Sequence, residues 1–307
     1  MTKSSYDIEK VYKEFATIDA YFYEEKGNNG TTSLISKDVI NNYCDYGSSS
    51  GNGKCQNDYL KMASSSVIHL LTNLKKYGLE NDKLAEYAIL WLSFKLNKYT
   101  TNKFTKLNDF YNSYIVNNNS YNEKINGDDS TYKTIINKKK DLMNIKEISK
   151  FNDPFGILFY LYHQFDGGRP DCDTNLKLAK DFADKFNDLN NDPNNKENSS
   201  YNKLLSILSN DYKNLKNKCP QFQSLSEIKR SQSSAENSVE DPGNVSGQPT
   251  VLSPEATPSS SSILNTVIPV LSTFSVISLF LGVAYKYSLF GFGKRSQKRY
   301  LRENIKK

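Results

Sequence analysis

Apolar residues recur at helical spacing along most of the chain, and the intervals between the repeats mark its organisation. Ile8, Val11, Tyr12, Phe15, Ile18 and Phe22 predict a first helix, with Ser4 or Ser5 as cap and Lys26-Gly27 as stop. Residues 27–57 are poor in apolar groups and rich in Gly, Asn and Ser, which predicts a long loop with one short helix near residues 36–43. Loops of that length are functional or disordered. Residues 58–77 carry Leu60, Met62, Ala63, Val67, Ile68, Leu70, Leu71 and Leu74 on a second helix that stops at Gly78. The next helix, 82–99, is apolar on nearly every side (LAEYAILWLSFKL), the pattern of a helix at the centre of a bundle.

A shorter helix follows at 103–115, then a polar break at 117–130. Residues 131–148 form a further helix around Lys138-Lys139-Lys140, a charge run read as a solvated face. Asp153-Pro154 offers a cap and a first-turn proline to the helix PFGILFYLYHQF. Helices at 174–189 and 200–218 complete the set, and Cys219-Pro220 ends it. No strand pattern of comparable length competes. The predicted class is therefore all-α, a helical bundle over residues 1–222.

Beyond it the pattern changes. No aromatic residue occurs between Phe222 and Phe274, and Ser, Pro, Gly and Glu dominate residues 223–262. Such a segment cannot bury enough apolar surface to offset its ordering entropy, so it reads as a disordered stalk. Residues 263–285 (ILNTVIPVLSTFSVISLFLGVAY) then run without a formal charge. As a helix this stretch would be roughly 34 Å long, against a hydrocarbon core of about 30 Å. It predicts a single C-terminal transmembrane helix.

Charge sets the orientation. The tail 286–307 holds Lys286, Lys294, Arg295, Lys298, Arg299, Arg302, Lys306 and Lys307 against Glu303 alone. Taking these eight bases and one acid from the chain's 40 and 34 leaves 32 against 33 for residues 1–262. The basic pI therefore belongs to the tail and is no sign of a nucleic-acid surface on the main domain. A cationic flank of this density marks the cytoplasmic side, with residues 1–262 outside. Each of these bases near an anionic leaflet contributes about 1 kcal/mol, so membrane lipids are the partner expected for the tail. The N-terminus lacks the apolar core of a cleaved signal peptide, which leaves the C-terminal stretch as signal and anchor together.

All four cysteines, Cys44, Cys55, Cys172 and Cys219, precede the apolar stretch. An even number on one side of a membrane suits an oxidising compartment and two disulfides. Three pairings are open. Cys44–Cys55, closing CDYGSSSGNGKC, with Cys172–Cys219 is the favoured one.

Catalytic chemistry is sparse. His69 and His163 are the only histidines, and both lie on strongly apolar helices as core or boundary residues. No nucleophile elbow is present, and residues 47–53 lack the spacing of a phosphate loop. Neither Asp128-Asp129 nor Asp171 with Asp173 makes a calcium-ligand series, and no Cys/His spacing fits a metal. No catalytic residue, cofactor, metal or small-molecule substrate is expected. Asn29, Asn118, Asn198 and Asn244 satisfy the glycosylation sequon, as chance allows in a chain with 35 Asn.

Several segments together resemble one family. They are the tail KYSLFGFGKRSQKRYLRENIKK, the helix segment AILWLSFKLN, PFGILFYLY, and CPQF ahead of a Ser/Pro-rich run. They are similar to the PIR (Plasmodium interspersed repeat) variant proteins of malaria parasites, in the style of the rodent-parasite members. The resemblance spans nearly the whole chain. It implies a disulfide-stabilised helical ectodomain on one transmembrane helix with a short basic tail, and no catalytic activity. It also implies a variant antigen of the infected red cell or parasite membrane, linked to immune evasion, antigenic variation and persistent infection. The resemblance assigns no pairing to the four cysteines, and the N-terminal cysteine frequent in members is absent. Two other readings share the architecture: an adhesin or host immune-receptor ligand, and an internal-membrane trafficking or scaffold protein whose domain faces the cytosol.

Overall fold

Burial is continuous from Leu84 to Leu96 along one helix, and the other elements are arranged around it. The computed structural model describes residues 6–26, 29–47, 54–99, 106–145, 148–165 and 171–228. All belong to a compact unit, Met1–Asn237; a second unit comprises Ser238–Lys307. The predicted transmembrane stretch 263–285, the basic tail and most of the stalk lie outside the described residues. Among the described residues, no helix is long and apolar enough to cross a membrane.

The order is α1 (Ile8–Asp19), β1 (Phe22–Lys26), β2 (Thr32–Ser36), a 3-10 turn (Asp38–Tyr43), α2 (Tyr59–Lys75) and α3 (Asn81–Asn97). Then come α4 (Leu107–Phe110), α5 (Tyr132–Asn137), α6 (Asn152–Gln164), α7 (Leu176–Asn191) and α8 (Ser200–Lys218). α3 packs against α2, α5 and α6; α1 lies across α2 and α6; α7 and α8 close the far side of α6. Trp91, Tyr87 and Ile89 of α3 are fully buried. Truncating such a residue to alanine costs about 3–5 kcal/mol, a large part of a domain's stability.

Local chemistry fixes the ends. Asp58 caps α2 by accepting from the N–H groups of Leu60 and Lys61 at 2.8 and 3.2 Å. Ser199 caps α8 by accepting from the Asn202 N–H at 3.1 Å. Gly78 ends the turn after α2 at φ 77°, a conformation that glycine adopts without a Cβ penalty.

Four expectations are corrected. The all-α class misses a two-stranded antiparallel hairpin that pairs Phe22 with Ser36 and Lys26 with Thr32. Phe22 continues the helical spacing of α1, but the chain turns at Ala20, and Asp7 rather than an earlier serine caps α1. The helix expected over 131–148 breaks into α5 and two 3-10 turns, Lys140–Asn144 and Ile148–Phe151. Within that break Lys139 is drawn inward, 15% exposed, to Asp82 at 3.1 Å and Glu86 at 3.0 Å, so the lysine run is not simply a solvated face. α6 starts ahead of Asp153-Pro154: Phe151 holds the cap position, while Asp153 pairs with Lys185 at 3.3 Å. Asn152 is held there by the Ser93 hydroxyl at 2.9 Å. The fourth concerns 103–115, where α4 runs into a π-helical turn, Tyr111–Ile115.

Two disulfides are present. Cys44–Cys55 closes the segment ahead of α2, with Cα atoms 5.2 Å apart. Cys172–Cys219 joins the lead into α7 to the end of α8, at 5.5 Å. Packing continues past Phe222: Leu225 and Ile228 rest on the core, and the Asn190 amide donates to the Glu227 carbonyl at 2.7 Å.

Two buried polar clusters lie in this apolar interior. In the first, the Lys95 ammonium donates to the Asp19 carboxylate at 2.9 Å and to the carbonyls of Asp19 and Phe22 at 3.0 and 2.6 Å. Lys98 adds a second contact to Asp19 at 3.2 Å. Burial opposes the Asp19 charge, but Lys95 and Lys98 outweigh it and hold its carboxyl down to about 2. In the second, Asp211 accepts from the hydroxyls of Tyr12 and Tyr87, each at 2.9 Å, and its own carbonyl accepts from Tyr162 at 2.7 Å. Burial pushes the Asp211 carboxyl up to about 7, since the two tyrosine hydrogen bonds and the more distant Lys83 offset only part of that cost.

Lys95→Met leaves the buried Asp19 with Lys98 as its remaining cation and removes the donor to the Asp19 and Phe22 carbonyls. The expected loss is about 3–5 kcal/mol in chemical denaturation, partly recovered when Asp19→Asn is added. For Asp211 the sign is opposite to that of a salt-bridged acid. The folded chain holds the proton up to about 7 while the unfolded chain releases it near 3.8. Its stabilisation is complete below the unfolded value, is lost as pH rises to about 7, and then levels off. Asp211→Asn mimics the protonated acid. It is expected to flatten the stability profile across that window, with no loss of stability at neutral pH. An unchanged slope in pH-dependent denaturation would refute the assignment.

Candidate functional site

The region predicted as a long loop, 27–57, is largely built structure. Its 3-10 turn is pinned to α2: the Ile40 carbonyl accepts from Ser65 at 2.5 Å, and the Val39 carbonyl meets His69 Nε2 at 2.9 Å. Asn41 Oδ1 accepts from the Cys55 N–H at 3.0 Å, which brings the second cysteine back beside the first. On the other side the Asn118 amide donates to the Tyr43 carbonyl at 2.7 Å, and the Tyr46 hydroxyl donates to the Tyr114 carbonyl at 3.1 Å. The two polar stretches, 27–57 and 117–130, are thereby stitched together at one end of the bundle.

Beside this junction lies a shallow cleft of about 490 Å³. Glu24, Thr32 and Leu34 of the hairpin form one wall; Asp58, Tyr59, Tyr99 and Tyr114 form the opposite one. The aromatic wall is set from the core. The Tyr59 hydroxyl donates to the Lys95 carbonyl at 3.0 Å, its ring packs edge-on to Phe22, and Tyr99 stacks on it with centroids 4.2 Å apart and planes 4° apart. Among the described residues the lining holds two acids, Glu24 and Asp58, and three tyrosines.

The sequence-derived candidates distribute as follows. Cys44 pairs with Cys55, and Cys172 with Cys219. The eight bases of the tail lie outside the described residues. His69 is buried between the rings of Tyr21 and Tyr43, and burial lowers its pKa. His163 is half-buried on α6. The His69 Nε2 contact is to the Val39 carbonyl and not to a nucleophile. Among the described residues no three His, Cys, Asp or Glu side chains gather as metal ligands. Asp128 is a structural residue, bonded to Lys75 at 2.8 Å and Asn81 at 2.9 Å.

The sequons separate by geometry. Asn118 is 1% exposed and its amide is occupied by the Tyr43 carbonyl, so a glycan there is incompatible with the fold. Asn29 is exposed, its side-chain oxygen accepting from the Thr31 N–H and hydroxyl. Asn198 is exposed at φ 58°. Asn244 lies outside the described residues.

The cleft residues Glu24, Tyr59 and Tyr99 carry no motif, and the helical spacing of Tyr114 marks it as part of an apolar helix face rather than as a site residue. The uncharged run Thr31–Ser36, TTSLIS, was the available signal for the strand that forms one wall.

Comparison with known proteins agrees with this architecture. The family model described as Plasmodium variant antigen protein Cir/Yir/Bir matches residues 12–286. A solved structure, that of a Plasmodium PIR protein ectodomain, is similar at 31% identity with a TM-score of 0.53. The match covers 73% of this chain and 100% of that one. No curated protein sequence matches. With a family model spanning most of its length and an ectodomain of the same helical architecture matched in full, the chain belongs to the Plasmodium variant antigen family Cir/Yir/Bir, the PIR proteins.

Proposed function

We propose that this chain is a membrane-anchored variant surface antigen of the malaria parasite or the infected red cell, non-enzymatic, acting in immune evasion and persistent infection. The helical domain, which extends to Ile228, stands outside on the stalk that follows it to residue 262, residues 263–285 span the membrane, and the basic tail lies against the cytoplasmic leaflet. The observation that carries the reading is the pair of disulfides in the helical domain. Disulfides persist in oxidising compartments and are rare in the cytosol. Within the family reading, sequence diversity is expected at the exposed positions of the segments 27–57 and 117–130, such as Ser33, Lys37 and Glu123, rather than along α3, where each change meets the core.

A second reading, recognition of a host protein, is favoured by the tyrosine-lined acidic cleft. It makes the antigen an adhesin or receptor ligand rather than a passive coat.

Topology is the decisive measurement. With tags at both ends, protease added to intact infected cells is expected to remove the N-terminal tag and leave the C-terminal one. A protected N-terminal domain with a digested tail would overturn the orientation. Reduced cysteines, seen as no mobility change between reducing and non-reducing gels, would favour the cytosol-facing alternative.

A further inference from the structure

The turn of the hairpin holds a side-chain amide carbonyl against two donors. Asn29, Gly30 and Thr31 lie between β1 and β2, just ahead of the pair that Thr32 makes with Lys26. The Asn29 side-chain oxygen accepts from the Thr31 N–H at 3.2 Å and from the Thr31 hydroxyl at 2.7 Å. An N–H donates to the oxygen and not to the NH₂ of a carboxamide, so this contact fixes which end of the Asn29 amide faces Thr31. Gly30 stands between them at φ 79°, and all three residues are exposed.

An asparagine followed by glycine carries an electrophile and a nucleophile in one dipeptide. The Gly30 nitrogen closes a five-membered ring when it attacks Asn29 Cγ, and glycine brings no side chain to obstruct the approach. Negative charge then develops on Asn29 Oδ1. Donors already aimed at that atom stabilise the tetrahedral intermediate in the manner of an oxyanion hole. Thr31 supplies both of them. Asn126-Gly127 is the natural contrast, since Gly127 has the same φ, 79°, and both residues are exposed. There the donors of the turn are used elsewhere: the Asp128 N–H goes to the Ile125 carbonyl at 3.1 Å, and the Ser130 N–H to the Asp128 carboxylate at 2.9 Å. The residue that corresponds to Thr31 is Asp128, which brings no hydroxyl.

We infer that Asn29 is a self-modifying site, deamidating through a succinimide whose formation Thr31 promotes. The Gly30 N–H proton passes to solvent base as the bond from Gly30 N to Asn29 Cγ forms. The Cγ–Nδ2 bond then breaks, and the leaving nitrogen takes a proton from water and departs as ammonia. Water opens the ring at either carbonyl and leaves aspartate or isoaspartate. The balance is one water in and one ammonia out, with no oxidant and no cofactor. A negative charge is added at the tip of the hairpin, and the isoaspartyl product also lengthens the backbone there by one methylene. The same event deletes the Asn29-Gly30-Thr31 sequon. The hairpin surface thus changes with the age of the molecule and without a change of gene sequence. The chemistry is independent of which side of the membrane the domain occupies, so it stands or falls separately from the orientation above.

The test incubates the full-length chain, produced without glycosylation, in detergent micelles at neutral pH. Trypsin then releases the peptides 27–37 and 125–133, and mass spectrometry follows the gain of about 1 Da at each asparagine. Asn29 is expected to convert at least about fivefold faster than Asn126. In oxygen-18 water its product is expected to carry one labelled oxygen, and an isoaspartyl methyltransferase to methylate part of it. In denaturant, where Thr31 no longer holds the carboxamide, the two rates are expected to converge, and this arm requires no change to the protein. Thr31→Val, which removes the hydroxyl and keeps the N–H, is expected to slow Asn29 severalfold. Thr31→Ser is expected to restore the rate, and neither variant to alter Asn126. Equal rates at the two sites in the folded chain, or an Asn29 rate indifferent to Thr31→Val, would overturn the proposal. So would slower conversion at Asn29 than at Asn126, which would make the Thr31 contacts a restraint that protects the amide.

Discussion

The Lys95 ammonium governs how the first third of the structure is assembled. It sits on the most buried helix and is itself 1% exposed. Its three oxygen partners come from the end of α1 and the start of β1. A charge in that position must be fully coordinated, because an uncompensated buried ion costs several kcal/mol. The chain between Asp19 and Phe22 is therefore held against α3, and the hairpin springs from a fixed point. The Phe22 ring completes the shell, with the ammonium 4.2 Å from its centroid. On the same turn of α3, the Lys95 carbonyl receives the Tyr59 hydroxyl. One residue thus positions both walls of the cleft.

Asp211 works in the other half of the molecule and by the opposite logic. No lysine enters its shell, and its partners are neutral hydroxyls from α1 and α3. The cluster ties α8 to both helices through geometry rather than charge, with Tyr6 extending it by a hydroxyl contact to Tyr87 at 3.0 Å. Stacking of Tyr12 on Tyr162, with centroids 4.2 Å apart, supports the same junction. Hydrogen bonds of this kind are directional, so they favour one arrangement of the helices over others of equal apolar burial.

Legibility in the sequence followed whether a signal was local. α2 could be read because a cap, an apolar repeat and a stop fall within one segment, Asp58 to Gly78. α8 could be read because its repeat runs up to Cys219-Pro220, and α3, which has no side-chain cap, from its apolar run alone. The hairpin could not. Phe22 extends the spacing of α1, and its strand is defined by a lysine on α3, distant in sequence. Asp153-Pro154 carried a helix-start signature, yet the start moved back because Asn152 is engaged by Ser93 of α3. Lys95, Lys139 and Asp211 look like surface residues in sequence. Their burial depends on partners in other elements, which periodicity does not encode. The cleft failed for the same reason, since its three tyrosines come from separate segments.

This division bears on what a variant antigen of this build is able to vary. The cleft opens among the polar segments, but its aromatic wall belongs to the scaffold. Tyr59 is 4% exposed and bonded to α3, and Tyr99 lies flat upon it. Substitution at Thr32, exposed at the rim, alters what the site meets without disturbing the core. Substitution at Tyr59 removes the hydrogen bond to Lys95 and the support for Phe22. A surface site built this way couples recognition to stability along one wall and frees it along the other. Chemistry that must persist among variants belongs on the tyrosine wall, and the hairpin rim is where specificity is able to drift.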